Sequence, residues 1–222
     1  MRTVVIGAGG GIGAALADLL ETQQRPVIRL GRGTIPTLEL EDEDSISAAA
    51  AAIGPNLNLV IDATGFLHSE QFRPEKSWRD LDPKHLAYSF AINAIGPALV
   101  MKHFLPLLAR DERAVFATLS ARVGSISDNH LGGWFSYRAS KAALNQLVRT
   151  AAIELARTRK QAICVALHPG TVHTRLSEPF AKVGLEVQTP AQAAAQLVAV
   201  IDVLTAQQSG LLFDHRGTQI PF

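Results

Sequence analysis

Short runs of β-branched and other apolar residues alternate with longer helical patterns along the whole chain. Such alternation indicates βαβ units, in which each parallel strand is followed by a helix that packs back onto the sheet. Both faces of the sheet are then covered, so its strands are apolar on both sides. The sequence therefore predicts an α/β fold, a doubly wound parallel sheet with helices on both faces, with residues 1–222 forming a single domain.

The elements of this fold follow from the length and pattern of each run. The predicted strands are residues 3–6, 26–30, 57–62, 114–119, 162–167 and 210–214, with 38–40 as one further short strand. The predicted helices are residues 12–21, 45–53, 83–109, 136–157 and 190–204. Ligands of open α/β sheets bind beyond the carboxyl ends of the strands, so the loops at that edge are where a site is expected.

The charge balance and the cysteine content exclude several classes of partner. The 222 residues carry 21 basic and 20 acidic side chains, a net charge of +1, without the basic cluster of a nucleic-acid-binding surface. Cys164 is the only cysteine, so no intrachain disulfide can form and a reducing compartment is expected. No uninterrupted apolar run reaches the length of a membrane span, and the amino terminus has no signal-peptide pattern. We therefore expect a cytoplasmic protein that binds neither nucleic acid nor membrane.

A glycine-rich turn follows the first predicted strand directly. Residues 7–13 read Gly-Ala-Gly-Gly-Gly-Ile-Gly, and a helix begins within them. Glycines let the backbone approach a pyrophosphate closely, and free N–H groups at the positive end of the helix then meet its charge. The alternative is a flexible turn without a ligand, but the strand-turn-helix context favours a bound dinucleotide.

The residues at the end of the second predicted strand indicate which dinucleotide binds. Residues 29–32 read Arg-Leu-Gly-Arg, so the acidic residue that would bind an adenine ribose and repel a 2′-phosphate is absent. Arg32 could instead pair with that phosphate through charge-assisted hydrogen bonds. Unless Arg32 is only a solvated loop charge, the sequence predicts NADP(H) rather than NAD(H).

Tyr137 and Lys141 lie four residues apart in an apolar helical segment, and therefore on one face of the helix. Reduction of a carbonyl by hydride requires a proton donor, and a phenol serves if its pKa falls from about 10 towards neutrality. An ammonium at about 4 Å attracts a phenolate by roughly 4 kcal/mol at an effective dielectric near 20, which favours such a fall. The same spacing occurs by chance in many helices, where the Tyr packs and the Lys is solvated.

Three further motifs accompany this pair, and together the four resemble the short-chain dehydrogenase/reductase family over essentially the whole chain. The order and spacing of the motifs also match that family. They fall on Gly7, Gly11 and Gly13 for Gly-x-x-x-Gly-x-Gly, on Asn93 for the helix-borne Asn, on Tyr137 and Lys141 for Tyr-x-x-x-Lys, and on Pro169, Gly170 and Thr174 for Pro-Gly-x-x-x-Thr.

The resemblance implies a Rossmann-like sheet, an NAD(P) cofactor and a role for each motif. Tyr137 would be the general acid/base, Lys141 would bind the nicotinamide ribose and lower the pKa of Tyr137, and Asn93 would hold a water in a proton relay. Among the branches of the family, the chain looks most like the compact C-factor and sniffer-like carbonyl reductases. The cofactor-binding residues so implied are Gly7, Gly10, Gly11, Ile12, Gly13, Arg32, Ala63, Gly65, Asn93, Tyr137, Lys141, Pro169, Gly170, Val172 and Thr174.

The chain departs from the family pattern at the Ser that orients the substrate carbonyl. That Ser is expected three positions before Gly124, where this chain has Ala121. Ser120 and Ser125 flank the position, and we favour Ser120 as the catalytic hydroxyl. The alternatives are Ser125, or no Ser at all, with both hydroxyls serving only local turns.

A second departure follows the third strand, where the family's Asn-Asn-Ala-Gly is replaced by Asp-Ala-Thr-Gly at residues 62–65. The backbone roles of Ala63 and Gly65 are expected to survive, whereas the side-chain role of the first Asn is left open. The family's adenine-side Asp appears as Glu39.

Other residue types give weaker signals. His168 has no second ligand at metal-binding spacing, so no metal is assigned. Trp134 and Phe135 either line the substrate pocket or pack beneath a loop, and Phe66 and residues 176–187 are the other expected pocket walls.

The favoured function is an NADP(H)-dependent oxidoreductase that transfers hydride between the nicotinamide and a small carbonyl or alcohol substrate. We expect it to reduce a ketone, aldehyde or quinone. A non-catalytic NADP(H)-binding redox sensor is the first alternative, and an epimerase or dehydratase of the same fold is the second. The helical segments 83–109 and 136–157 resemble those that pair between subunits in the family, so a homodimer or homotetramer is expected.

Overall fold

The fold is described by a computed structural model over residues 2–177 and 187–222. Within these ranges, seven strands form one sheet in the order β2-β1-β3-β4-β5-β6-β7, parallel except for the last pair. The strands are β1 (Thr3–Ile6), β2 (Val27–Leu30), β3 (Leu59–Asp62), β4 (Ala114–Leu119), β5 (Ala162–His168), β6 (Leu212–Asp214) and β7 (Gln219–Ile220). The predicted α/β architecture is confirmed.

The helices lie between the strands, as the alternation predicts. They are α1 (Gly11–Thr22), α2 (Glu43–Ile53), α3 (Pro83–Phe90), α4 (Gly96–Phe104), α5 (Phe135–Thr158) and α6 (Pro190–Val203). A π-helical turn, Ala91–Ile95, joins α3 to α4. Single 3-10 turns occupy Trp78–Asp80, Leu105–Leu107, Arg122–Gly124 and Ala206–Gln208.

The two faces of the sheet bury separate cores. Val4 and Ile6 belong to the core beneath α2, α4 and α5, whereas Val5 belongs to the core beneath α1 and α6. This alternation is the consequence of the two-residue side-chain period of a strand. The carboxyl ends of β1, β3, β4 and β5 are therefore fixed at one edge, between two helical layers.

The segment predicted as a strand at 38–40 is not one. Leu38 is buried, but the loop forms only a single isolated bridge, between Thr37 and Gly31, the residue after β2. Pro36 has no N–H to donate to a ladder, and the Thr34 hydroxyl accepts the Gly31 N–H at 2.9 Å and donates to the Pro36 carbonyl at 2.8 Å within the loop. The local loop therefore replaces the strand.

The long predicted helix at 83–109 is interrupted by the π turn. By length and composition alone, the run Pro83–Leu107 is apolar enough to cross a membrane. In the fold it is part of the helical layer, and Val100, Met101 and Phe104 lie in the core against the sheet. β7 was not predicted because two residues are too few to show a pattern.

We predict that Gly13→Ala destabilises the protein by about 1–3 kcal/mol, because a new side chain would overpack the start of α1. A Cβ on Gly13 would lie 2.2 Å from the Gly7 carbonyl oxygen. Gly9→Ala is the matched control, since a Cβ there meets no atom within 4 Å. Urea unfolding without nucleotide measures both; equal stabilities of the two variants would contradict the prediction.

Candidate active site

The glycine-rich turn forms an open cradle at the carboxyl end of β1. Gly7 adopts a φ of +78°, and its N–H donates to the Leu30 carbonyl at 2.9 Å. The first N–H groups of an α-helix have no partner within the helix, and those of α1 belong to Gly11, Ile12 and Gly13. No acidic residue lies in this first turn, so the positive end of the helix is available to an anion.

A second cradle follows β5 and lies against the first. Gly170 adopts a φ of +78°, and the Thr174 methyl carbon lies 2.9 Å from where a Gly11 Cβ would be. Val172 is buried and pairs with Gln188 in an isolated bridge. The two turns thus meet at the edge of the sheet, as the motif order predicts.

Three buried polar atoms near Gly170 have no hydrogen-bond partner within the described ranges: His168 Nδ1, His215 Nδ1 and Gln188 Oε1. A Gly170 Cβ would lie 3.0 Å from His215 Nδ1 and 2.8 Å from Gln188 Nε2. Burial lowers the pKa of His168 to about 4, so its ring is neutral near pH 7. Unpaired polar atoms and a close glycine fit a polar ligand such as a nicotinamide carboxamide.

Arg32 lies two residues beyond the end of β2 and is exposed. Its neighbour Arg29 is already paired, at 2.6 Å with Asp18 and 2.7 Å with Glu21. Among the residues that the structure describes, Arg32 has no ion-pair partner. Its guanidinium is therefore free to bind an anion beside the first cradle.

Lys141 reaches from α5 to the end of β4. Its side chain is buried, and Nζ donates to the Leu119 carbonyl at 2.8 Å. Nζ lies 5.9 Å from the centroid of the Tyr137 ring, on the same helix face. A Cβ on Gly65 would lie 3.6 Å from Nζ, so the segment after β3 also borders this point.

The electrostatics of the pair differ from the sequence expectation. Burial raises the pKa of Tyr137 to about 12. Burial lowers the pKa of Lys141 to about 8, against the opposing effect of the Asp62 carboxylate. The pKa of the phenol is therefore set by the loss of water around it, while the Lys141 ammonium is directed at the Leu119 carbonyl. Near pH 7 both groups keep their protons.

Asp62, at the family's first Asn, is a buried hydrogen-bond acceptor. One carboxylate oxygen accepts the Thr64 N–H at 3.1 Å and its hydroxyl at 2.6 Å, and the other accepts the Thr118 hydroxyl at 2.8 Å. Desolvation raises the pKa of Asp62, and these bonds oppose the rise. The side-chain role that the sequence left open is thus to join β3, β4 and the turn before Gly65.

Asn93 lies in the π turn and is fully buried. Its Oδ1 accepts the Phe66 N–H at 2.8 Å, and its Nδ2 donates to the Phe66 carbonyl at 2.8 Å and to Ser140 Oγ at 3.1 Å. Ser140 in turn donates to the Tyr137 carbonyl at 2.9 Å. Asn93 and Tyr137 are therefore brought together through Ser140, a residue that no motif indicated.

The hydroxyls of Ser120 and Ser125 each have a hydrogen-bond partner away from the Tyr137 side chain, Asn145 Oδ1 for Ser120 and the Asp128 N–H for Ser125. Ser120 is buried and donates to Asn145 Oδ1 at 2.7 Å, which commits its proton. Ser125 borders a cavity of about 310 Å³ that is also lined by Arg138 and Ala142. Those residues lie on a different face of α5 from Tyr137 and Lys141. Ser120 stays a prediction as the catalytic hydroxyl, and its proton would have to move from Asn145 Oδ1 to a substrate carbonyl.

The aromatic residues divide between the two faces of α5. The Trp134 ring lies 6.1 Å from the Tyr137 ring, edge to face, whereas Phe135 lines the cavity beside Ser125. The rings of Phe66 and Tyr88 pack edge to face, with their centroids 4.8 Å apart. Of the expected pocket wall at 176–187, residues 178–186 lie outside the described ranges.

The chain matches a family model and is similar to two known proteins. Residues 9–204 match the family model described as Enoyl-(Acyl carrier protein) reductase. The chain is 32% identical to the 1-hydroxy-2-glutathionyl-2-methyl-3-butene dehydrogenase of Rhodococcus sp. (strain AD45), over 98% of each chain. It is 37% identical to the C-signal protein of Myxococcus xanthus, over 64% of this chain and 82% of that one.

A solved structure is also similar. The NADPH-bound carbonyl reductase from chicken fatty liver superposes with a TM-score of 0.86 at 26% identity, covering 100% of this chain and 98% of the other.

The pKa of Lys141 predicts how stability changes with pH. A lysine whose pKa is about 8 in the folded state and about 10.4 unfolded is deprotonated first in the folded state. The contribution of Lys141 to the free energy of unfolding therefore increases by about 2 to 3 kcal/mol from about pH 7 to about pH 10. The same amount is lost again as the pH falls through 8. Over this pH range, the free energy of unfolding of wild type should increase by this amount more than that of Lys141→Met.

The measurement is the free energy of unfolding in urea at both pH values. Lys160→Met is the matched control, because Lys160 is exposed, and it should follow wild type. A Lys141→Met protein with the wild-type pH dependence would refute the prediction.

Proposed function

The chain belongs to the short-chain dehydrogenase/reductase family, and we propose that it is an NADP(H)-dependent oxidoreductase acting on a small carbonyl or alcohol substrate. One observation carries the proposal: Tyr137, Lys141 and Asn93 converge beside two glycine cradles at the carboxyl edge of the sheet. The similarity to the NADPH-bound carbonyl reductase from chicken fatty liver supports reduction as the direction of the reaction.

Each site residue is assigned one step. NADPH, when bound, supplies the hydride for the carbonyl carbon. Tyr137 donates its phenolic proton to the carbonyl oxygen, and its pKa of about 12 keeps it protonated until then. Lys141, charged near pH 7, stabilises the phenolate that forms. A water held beside Asn93 would return a proton to the Tyr137 phenolate. Both Nδ2 protons of Asn93 are already donated, to the Phe66 carbonyl and to Ser140, so Asn93 would hold this water as an acceptor, through Oδ1 or its main-chain carbonyl.

The cofactor is held by the residues of the two cradles and the pair. The pyrophosphate is assigned to the N–H groups of Gly11, Ile12 and Gly13. Gly7 and Gly10 shape the turn, in which the Gly10 N–H donates to the Gly7 carbonyl at 2.9 Å. The nicotinamide ribose is assigned to the position where Gly65 borders Lys141. Ala63 borders Gly7 and Gly13 and is assigned to the first cradle. The nicotinamide end of the cofactor is assigned to the second cradle, formed by Pro169, Gly170, Val172 and Thr174.

Arg32 sets the choice of NADP(H). We predict that Arg32→Ala raises the Kd of NADPH about 10-fold and that of NADH less than about 2-fold, because only NADPH loses a charge-assisted bond to phosphate. Equilibrium binding followed by nucleotide fluorescence measures both constants. Arg157→Ala, an exposed arginine on α5, is the control. An unchanged ratio of the two constants would remove Arg32 from the cofactor site.

The alternatives predict different behaviour. A redox-sensing regulator binds NADP(H) without turnover, and an epimerase or dehydratase shows no net loss of NADPH. The regulator is less favoured because Tyr137 and Lys141 are retained together with a buried Asn93.

The proposal also covers assembly and location. Ile95 after α3 and Ile153 on α5 are apolar residues with 54% and 49% of their surface exposed, which supports pairing of these helices in a homodimer or homotetramer. A cytoplasmic location is supported by the cysteine content, since Cys164 is the one cysteine in the sequence and is a free, buried thiol.

NADPH consumption with a panel of aldehydes, ketones and quinones tests the function. We expect turnover by wild type and a fall in kcat of about 100-fold or more in Tyr137→Phe, which lacks the proton donor. Tyr88→Phe, the same substitution at the other tyrosine of the chain, is the control and should stay within about 3-fold of wild type. Ser120→Ala tests the predicted carbonyl donor, since full turnover would remove Ser120 from the catalytic site. Tight NADPH binding without turnover on any substrate would favour the regulator instead.

A further inference from the structure

The amino-terminal end of α5 is held by a buried carboxylate that no sequence motif indicated. Glu75 is 3% exposed, and its side chain accepts the Ser136 N–H at 3.2 Å and the Ser136 hydroxyl. Its main-chain carbonyl accepts the Trp134 N–H at 2.5 Å. Glu75 therefore binds the residue next to Tyr137 as well as the residue that precedes the helix.

Helix α5 has no cap of its own. Its first turn contains no acidic residue, and Trp134, at the N-cap position, has an indole that can only donate hydrogen bonds. A carboxylate at this end satisfies N–H groups that otherwise lack partners and interacts favourably with the helix dipole. Glu75 supplies that carboxylate from a different segment of the chain.

The turn that enters α5 is strained. Gly132, Gly133 and Trp134 have consecutive φ values of +65°, +66° and +54°. A bulky residue in this left-handed region costs on the order of 1–3 kcal/mol and persists only where neighbours hold it. Arg138 binds the carbonyls of Gly132 at 3.1 Å and Gly133 at 3.0 Å, and Glu75 holds Trp134 from the other side.

Glu75 also reaches the helix that leads to Asn93. His85 Nδ1, on α3, lies 3.2 Å from the Glu75 carboxylate, and the His85 ring stacks on Phe72 with centroids 5.0 Å apart. One side chain thus connects the start of the Tyr137 helix to the helix that runs into the π turn.

We propose that Glu75 is a positioning residue: it fixes the strained entry turn of α5 and thereby sets where the Tyr137 hydroxyl meets the substrate carbonyl. The inference rests on the proposed function, since it assigns Tyr137 as the proton donor. Glu75 acts through Ser136 and Trp134, and the cofactor cradles lie on other elements.

The test is a double-mutant cycle on kcat. Glu75→Ala should lower kcat about 10-fold or more while the Kd of NADPH changes less than about 2-fold. In a Tyr137→Phe background, Glu75→Ala should cause no further fall, because the group it positions is gone. Glu75→Gln, which keeps one acceptor for Ser136, should recover part of the loss. Glu70→Ala, an exposed glutamate in the same loop, should match wild type.

Equal falls in kcat in both backgrounds would show a general structural role and overturn the proposal. If Glu75→Ala does not fold, Ser136→Ala removes one of the same bonds and enters the same cycle. Hydrogen exchange of the amides at 135–138 provides a readout without turnover: Glu75→Ala should accelerate it about 10-fold relative to Glu70→Ala. Unchanged exchange also overturns the proposal, whereas absent wild-type turnover with accelerated exchange would reject only the proposed function.

Discussion

The close approach of helix α5 to the turn after β4 is the constraint on which the site depends. A Cβ on Gly124 would lie 2.8 Å from the Lys141 Cβ, so the helix can lie against this turn only because Gly124 has no side chain. From that position Lys141 reaches the Leu119 carbonyl, and Asn145 reaches the Ser120 hydroxyl. The reactive pair is thereby fixed to the sheet itself rather than to a loop.

Burial at this junction has an electrostatic consequence. It keeps Tyr137 neutral and makes Lys141 a weaker base than a solvated lysine, while Asp62 partly restores the ammonium. A site with a protonated phenol and a charged amine near pH 7 is prepared to donate a proton and then to stabilise the anion left behind. The replacement of Asn by Asp at position 62 therefore changes the charge near Lys141 as well as the hydrogen bonds of β3.

The segment between β3 and α3 joins the parts of the site that separate helices provide. Its beginning, at Phe66, is clamped by Asn93, and its later part, at Glu75, holds the start of α5. Ser140 completes the link from Asn93 to Tyr137. The relative placement of the proton donor and the relay thus depends on a segment without regular secondary structure over most of its length.

The sequence by itself determined the α/β class, most of the strands and helices, and the order of the motifs. These features rest on local periodicity and on glycines whose spacing is readable within one turn. It did not determine the loop at 38–40, the π turn, the strand β7 or the partner of the Ser120 hydroxyl. It could not reveal Glu75, because a single carboxylate in an aperiodic segment has no local signature. Only the tertiary structure places that carboxylate against Ser136, 61 residues away in the chain, and decides by burial which protons Tyr137 and Lys141 keep.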